Sequence, residues 1–474
     1  MPNVFFRPVA AICLPVLLLT SGCTGKPTDE TGDSGGPTIE QFTEPQTDGI
    51  THELHTEIES LVYVNWTQNE PATVYVEYSF DPDEWHATPA QEVTEAQDVN
   101  MLLLGIPYEM DFSYRVVNDF GSGPLASDEH TGETGDLPDG MPQPTLIASD
   151  DTQYEPTGNF LMGSVNQKNC GWCSGTYWKY FIDRKGRVVW SSKTERGAWT
   201  IFMRTAVDGK AFLWDSATWW SDYDMGAGSQ IHRMKIDGTI EESITAYGLH
   251  HAFTELPDGT LVWGAATSWN SEELYKREAD GTDTSLWSCD QFETESGGRW
   301  NDCQSNTLFY DEGSDSFYYS FYSLDTIVQV DHETGTSLRW FGDISNSWSF
   351  DPFDSQFWWM HGVSILDNGN MLTSTHCSEH TSNCCAREYE FDEASETLVN
   401  VWSFGDEPGT ESVRADTAGE AHRLSNGNTL HNYGSGSRVR EVTDAGDIVW
   451  DMEFSSGKLI GRTTLVDDLY DFAP

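Results

Sequence analysis

The chain has 474 residues, 13% of them aromatic and 42 of them glycine, enough for two or three domains with sizeable cores. Its 25 basic against 77 acidic residues leave a net charge of −52. Such a field repels nucleic acid and acidic membrane surfaces and excludes both as partners; it reads as a solvated acidic coat, able at most to hold a structural Ca²⁺.

The first residues, MPNVFFRPVAAICLPVLLLTSGC, carry one early Arg, an apolar run over 9–19 and a small-residue end. That pattern predicts a secretory signal over 1–22, too short for a permanent span. Thr20-Ser21-Gly22-Cys23 resembles a bacterial lipobox, which implies lipidation at Cys23 and contact with the membrane through that anchor alone. The expected location is the bacterial outer membrane, or the medium if the signal is cut without lipidation. Residues 23–49 are rich in Gly, Pro, Thr and acids, cannot bury a core, and are predicted to be a flexible tether.

Short strands follow. LVYVNWTQ (61–68) and ATVYVEYSF (72–80) alternate with period two around Asn-Glu-Pro, and MLLLGIPYEMDFSYRVV (101–117) reads as strand, corner and strand. Residues 50–135 resemble a fibronectin type III sandwich, with Trp66 as core tryptophan and Phe112 or Tyr114 at the tyrosine corner. Nothing in this stretch suggests catalysis.

After a linker at 136–144 the pattern becomes a repeat. FIDRKGRVVW, KIDGTI, READGTDTSLW, VDHETGTSLRW, FDEASETLVNVW and VTDAGDIVW are six strand–turn–strand units, five of which end in Trp. Inner segments such as LPDGTLVWG and LDNGNMLTS precede most of them. A spacing of roughly forty to sixty residues fits four-stranded blades. The fold class is therefore all-β, with a six-bladed β-propeller over 145–474 behind the small sandwich.

Nine cysteines less Cys13 and Cys23 leave seven. Cys170 with Cys173, Cys289 with Cys303, and Cys377 with Cys384 or Cys385 are candidates for loop-closing disulfides in an exported chain, with one thiol over. His376, Cys377, His380, Cys384 and Cys385 could ligate zinc, but disulfide formation is the preferred reading in an oxidising compartment.

In a propeller the innermost strands line one channel, so equal registers of different blades converge. His251, in HHAFTELPDGT of the third blade, and His361, in FWWMHGVSILDNGN of the fifth, stand at one register before a Gly turn. WNDCQSNTLFYD places Gln304 and Asn306 there in the fourth blade, and in the sixth Gly419, just before AHRLSNGNTL, stands at the matching place with His422 three residues on. Trp219-Trp220 and Trp358-Trp359 read as core packing with one ring of each pair inward.

The histidine register and the Asp-x-x-Gly-x-x-x-Trp turns make the propeller similar to bacterial arylsulfate sulfotransferases. The resemblance implies transfer of a sulfuryl group from an aryl sulfate to a phenol without a nucleotide or other cofactor, through a sulfated histidine. On it, His361 matches the nucleophile, His251 or its neighbour His250 a stabilising histidine, and Asn306 the asparagine of a His-x-Asn motif. Gln304 stands in place of that motif's histidine, and Tyr322 in place of a family arginine. Each missing anion donor would cost about 3 kcal/mol of transition-state binding unless Arg387, Arg438 or Arg440 substitutes. The rival expectation is a non-catalytic propeller that binds a small ligand, glycan or protein; a quinoprotein-like or lyase-like propeller ranks third.

Overall fold

The computed structural model describes residues 40–41, 47–82, 84–170, 175–194, 197–219, 225–298, 303–405 and 412–474. The signal, Cys23 and Cys173 lie outside the described residues.

Two sheets open the chain. Thr47–Leu54, Val62–Gln68 and Gln97–Leu103 form one; the other is built on Ala72–Asp81 and Asp111–Asp119. Their inward residues alternate along each strand, and Val64, Trp66, Val76, Met101, Phe112 and Tyr114 meet in one core. The first strand begins inside the stretch read as tether, and Glu40–Gln41 pairs in parallel with Leu125 and Ala126. Composition did not reveal these edges, because strand pairing needs only backbone groups.

Six sheets of four or five strands follow, each running from an inner to an outer strand. The ring is closed from both ends of the chain. Thr464–Val466 pairs with Phe160–Asn166 as the inner strand of the first blade, and Thr145–Ser149 pairs with Ile448–Glu453 at the outer edge of the sixth. Each end of the chain thus adds a strand to the sheet formed by the other end, which ties the last blade to the first.

The repeated residues have identifiable work. In the Asp-x-Gly turns, Asp237 and Asp280 accept the N–H of Thr239 and Thr282, while Gly238 and Gly281 take positive φ. The repeat tryptophans join blades. Trp190 Nε1 donates to Ile236 O, Trp287 to Ser337 Oγ, Trp402 to Asp444 O and Trp450 to Arg184 O, each reaching the following blade around the ring. Trp340 instead donates to Ser345 O in its own connecting loop.

The sandwich shares apolar packing with the first two blades: Ile58, Leu61 and Leu104 join Met162, Phe181, Trp190, Phe212 and Phe472. Cys289–Cys303 and Cys377–Cys385 are disulfides, Cys170 is disulfide-bonded, and Cys384 is a buried free thiol. The five-residue zinc set is thus divided by a disulfide. Among the described residues no group of three or more His, Cys, Asp or Glu is arranged to hold a metal ion.

Candidate functional site

His361 lies on the inner strand of the fifth blade, Trp358–Ile365, where pairing with Met371–Ser378 slips between Trp358 and Gly362. The bulge sets Trp359 at φ +49°, and its N–H is held by Asp325 Oδ1. The Trp359 carbonyl faces His361 Nδ1 at 2.6 Å. A carbonyl only accepts, so Nδ1 carries the hydrogen. Burial, then the charge of Arg462, holds the imidazole down to about 3, so it is neutral and Nε2 keeps its lone pair. Gly362 is required for close approach, since a Cβ there would meet Glu420 Cα at 2.7 Å.

The third blade repeats the device. Its inner strand, Leu249–Glu255, slips register between Leu249 and Phe253, and the slip contains both His250 and His251. The two Nδ1 atoms are hydrogen-bonded, and His250 Nε2 meets Glu272 Oε1 at 2.8 Å. Glu272 also accepts Ser305 N–H at 2.7 Å and Tyr319 O–H at 2.6 Å. Burial alone would raise this carboxyl, but His250 and the donors outweigh it and hold it below the usual range. His251 is held well below its ordinary value by burial and by the charges of His250, His361 and Arg462. The expected nucleophile and its expected partner are therefore electrostatically coupled, and the chain Glu272–His250–His251 can carry a proton.

Arg462 comes from the segment just before the last strand. It donates to Gly419 O, to Asn306 O at 3.2 Å and to Thr307 Oγ1 at 2.7 Å, and that hydroxyl donates to His361 O at 2.5 Å. Burial holds Arg462 down to about 10, which still leaves a cation near neutrality. Arg204, on the inner strand Met203–Thr205, lies over Phe202 and Phe253 at 5.0 and 5.4 Å and donates to Thr254. Both guanidinium groups keep a buried Nε–H with no partner. Glu420 tempers them. Burial would raise it, but His422 and Arg462 carry it below its usual range, and it accepts Thr463 N–H.

Gln304 and Tyr322 sit at the rim. Tyr322 O–H donates to Gln304 Oε1, and Gln304 Nε2 donates to Trp269 O at 3.0 Å. The Tyr322 ring stacks towards His361 at 6.2 Å and 23°, and meets Trp359 at 5.9 Å. Trp269 and Trp359 are 47% and 45% exposed, and the Trp359 ring stacks on His376 at 6.0 Å. Trp219 is buried and packs on His250 at 5.7 Å and on Trp269 at 5.3 Å. A cavity of about 510 Å³ beside Trp359 is lined by His376, His380, Arg414 and Asp416.

The structure thus brings His361, His251 and His250 together with Asn306, Gln304 and Tyr322 around them. Asn306 commits its amide Nδ2 to Met360 O at 3.2 Å. The three arginines considered as substitutes lie elsewhere in bonding terms: Arg387 donates to Ser355, Gln356 and Cys377 carbonyls, and Arg438 and Arg440 pair with Asp451. Among the described residues, the cations beside the paired histidines are Arg462 and Arg204. Only a lone Arg inside the final apolar stretch of an arginine-poor chain could have signalled the first.

No protein-family model matches the chain, and no curated protein matches it. Among solved structures, a protein of unknown function from Bacteroides caccae is 14% identical with a TM-score of 0.42, over 64% of this chain and 98% of that one. Virginiamycin B lyase from Staphylococcus aureus is 10% identical with a TM-score of 0.38, over 68% and 99%. A putative 6-phosphogluconolactonase from Bacteroides uniformis is 12% identical with a TM-score of 0.38, over 83% and 100%. These likenesses carry no statement about the site or its reaction.

Proposed function

We propose that the channel transfers a sulfuryl group from an aryl sulfate to a phenolic acceptor through His361. The observation that carries this reading is the neutral imidazole whose Nδ1 hydrogen is fixed on the Trp359 carbonyl, which leaves Nε2 as the nucleophile. Nε2 attacks sulfur, the sulfur–oxygen bond to the donor breaks, and the phenolate leaves. In the second displacement an acceptor phenol gives up its proton, its oxygen attacks sulfur, and the nitrogen–sulfur bond breaks. The Glu272–His250–His251 chain is suited to give and take those protons, and the unpartnered Nε–H groups of Arg462 and Arg204 to meet the sulfuryl oxygens. No cofactor enters these steps. Trp269, Tyr322 and Trp359 supply aromatic faces for the aryl groups.

An exported protein, anchored through Cys23, goes with this reading; the Cys289–Cys303 and Cys377–Cys385 disulfides support an oxidising compartment. Release of nitrophenolate from 4-nitrophenyl sulfate in the presence of phenol, with a sulfated histidine found by mass spectrometry, tests it. His361→Ala should abolish both. Absence of turnover and of the modified histidine in the wild-type protein across a panel of aryl sulfates overturns the proposal.

One observation favours ligand binding without chemistry: Asn306 and Gln304 already give amide hydrogens to backbone carbonyls, and Tyr322 gives its hydroxyl hydrogen to Gln304. Binding of a neutral phenol that His361→Ala leaves unchanged, without turnover, would support that second reading.

A further inference from the structure

A second cavity, of about 740 Å³, lies between the first two blades and reaches Ile58 of the sandwich segment. Lys179 lines it from the middle of the strand Tyr177–Asp183 and is 2% exposed. Its Nζ is 3.5 Å from the centre of the Trp214 ring and 4.0 Å from Met234 Sδ. Among the described residues no carboxylate pairs with it, and burial pushes the amine down to about 7, so a neutral fraction is present near neutrality. His232 stacks on the same indole at 4.1 Å and is held down to about 4 by burial and by Lys179. Its ring nitrogens meet Ser216 Oγ at 2.9 Å and Ser243 Oγ at 2.8 Å.

Independent of that amine, Trp178 and Trp214 both line the cavity, are buried, and have indole N–H groups without a partner. An acceptor oxygen on a ligand would satisfy such an orphaned donor. Ser191, Ser192, Thr194 and Thr218 add hydroxyls to the wall. An uncharged amine, two unused donors and a hydroxyl-rich wall match a carbonyl compound that carries further oxygens.

We propose that this cavity takes a small hydroxylated aldehyde, such as an open-chain sugar, and holds it as an imine on the Lys179 side chain. The amine lone pair forms the carbon–nitrogen bond as the carbonyl π bond opens. Both amine hydrogens leave with the carbonyl oxygen as water, and neither partner is oxidised or reduced. Neutral His232, coupled to two serine hydroxyls, is placed to pass protons between nitrogen and oxygen.

The test is reductive trapping. Full-length protein is incubated at pH 7 with glycolaldehyde and cyanoborohydride, and its lysines are mapped by mass spectrometry. Lys179 should be labelled several-fold more than exposed Lys185, and its labelling should rise with pH around 7 rather than near the ordinary 10.5. Lys179→Arg, which keeps a cation over Trp214, should lose that label and leave the others unchanged. Labelling of Lys179 no greater than that of Lys185 would overturn the imine. Equal labelling by propionaldehyde, which lacks a hydroxyl, would overturn the hydroxylated class.

Discussion

The Trp359 carbonyl accepts the Nδ1 hydrogen of His361 at 2.6 Å, and Trp359 can offer it there only because its backbone stands at φ +49°. Asp325 Oδ1 holds the Trp359 N–H and so maintains the setting from the neighbouring blade. Asp325→Ala should remove that restraint at a stability cost of about 1–3 kcal/mol. Asp325 is itself at φ +45°, which Asn tolerates, so Asp325→Asn keeps both backbone and acceptor and is the control. If the channel transfers sulfuryl groups as proposed, kcat for aryl sulfate transfer should fall on the order of tenfold or more in the alanine variant and return in the asparagine variant. Parallel melting curves separate positioning of His361 from global loss of fold.

Arg462 binds three oxygen atoms from the fourth and sixth blades and offsets Glu420. Arg462→Met should destabilise the ring by roughly 3–5 kcal/mol, since it leaves a buried carboxylate and two carbonyls short of a partner. Arg462→Lys keeps the charge but cannot reach all three acceptors; it should fold, with a smaller loss by urea unfolding. If Arg462 meets the sulfuryl group, the lysine variant should lose about a hundredfold in kcat/KM for an aryl sulfate. Binding of an uncharged phenol should change little.

The strands and the ring were legible because alternation and turn chemistry are local. A period of two, an Asp-x-Gly turn and a closing Trp can be read in any one repeat. His251 and His361 were legible as a pair because their blades share a register. Arg462, Arg204, Glu272 and Glu420 were not, because each reaches the channel from a different blade, and no local pattern shows which way a side chain leaves its strand. Arg462 was hidden further by topology: the inner strand of the first blade is supplied by the C-terminal end of the chain. That Tyr322 is not an arginine was visible in the sequence, while the placement of Arg462 beside the histidines required the closed ring.

Three buried histidines should make the fold acid-sensitive. Burial holds His361 and His431 down to about 3 and His232 down to about 4, against an ordinary 6.5. In each case the unfolded chain binds the proton first. Stability is therefore full above pH 6.5 and falls as pH drops through the window between 6.5 and the folded values. At pH 5 each of the three should cost on the order of 2 kcal/mol. Protonating surface carboxylates works the other way by relieving the repulsion of a −52 chain, but exposed charges are screened and individually weak. The unfolding midpoint in urea should thus decline from pH 7 to pH 4.5, and His431→Gln should flatten part of the slope. A midpoint that rises over this range would show that surface repulsion dominates instead.

The tryptophan that closes the ring should matter more than its counterparts. Trp450 is fully buried, donates Nε1–H to Arg184 O at 2.9 Å and lies 4.7 Å from that guanidinium. Arg184 in turn pairs with buried Glu441, so the sixth blade is tied to the first through one cluster. Trp450→Phe keeps an aromatic face but strands a buried carbonyl and leaves space, for an expected loss of about 2–4 kcal/mol. Trp340→Phe makes the same chemical change at a half-buried ring that bonds only its own loop, and should cost less than about 1 kcal/mol. Urea unfolding of the two variants side by side measures the difference. Equal losses would mean that the tryptophans act only as apolar bulk within their own blades, and that the hydrogen bond from the last blade to the first does not hold the ring closed.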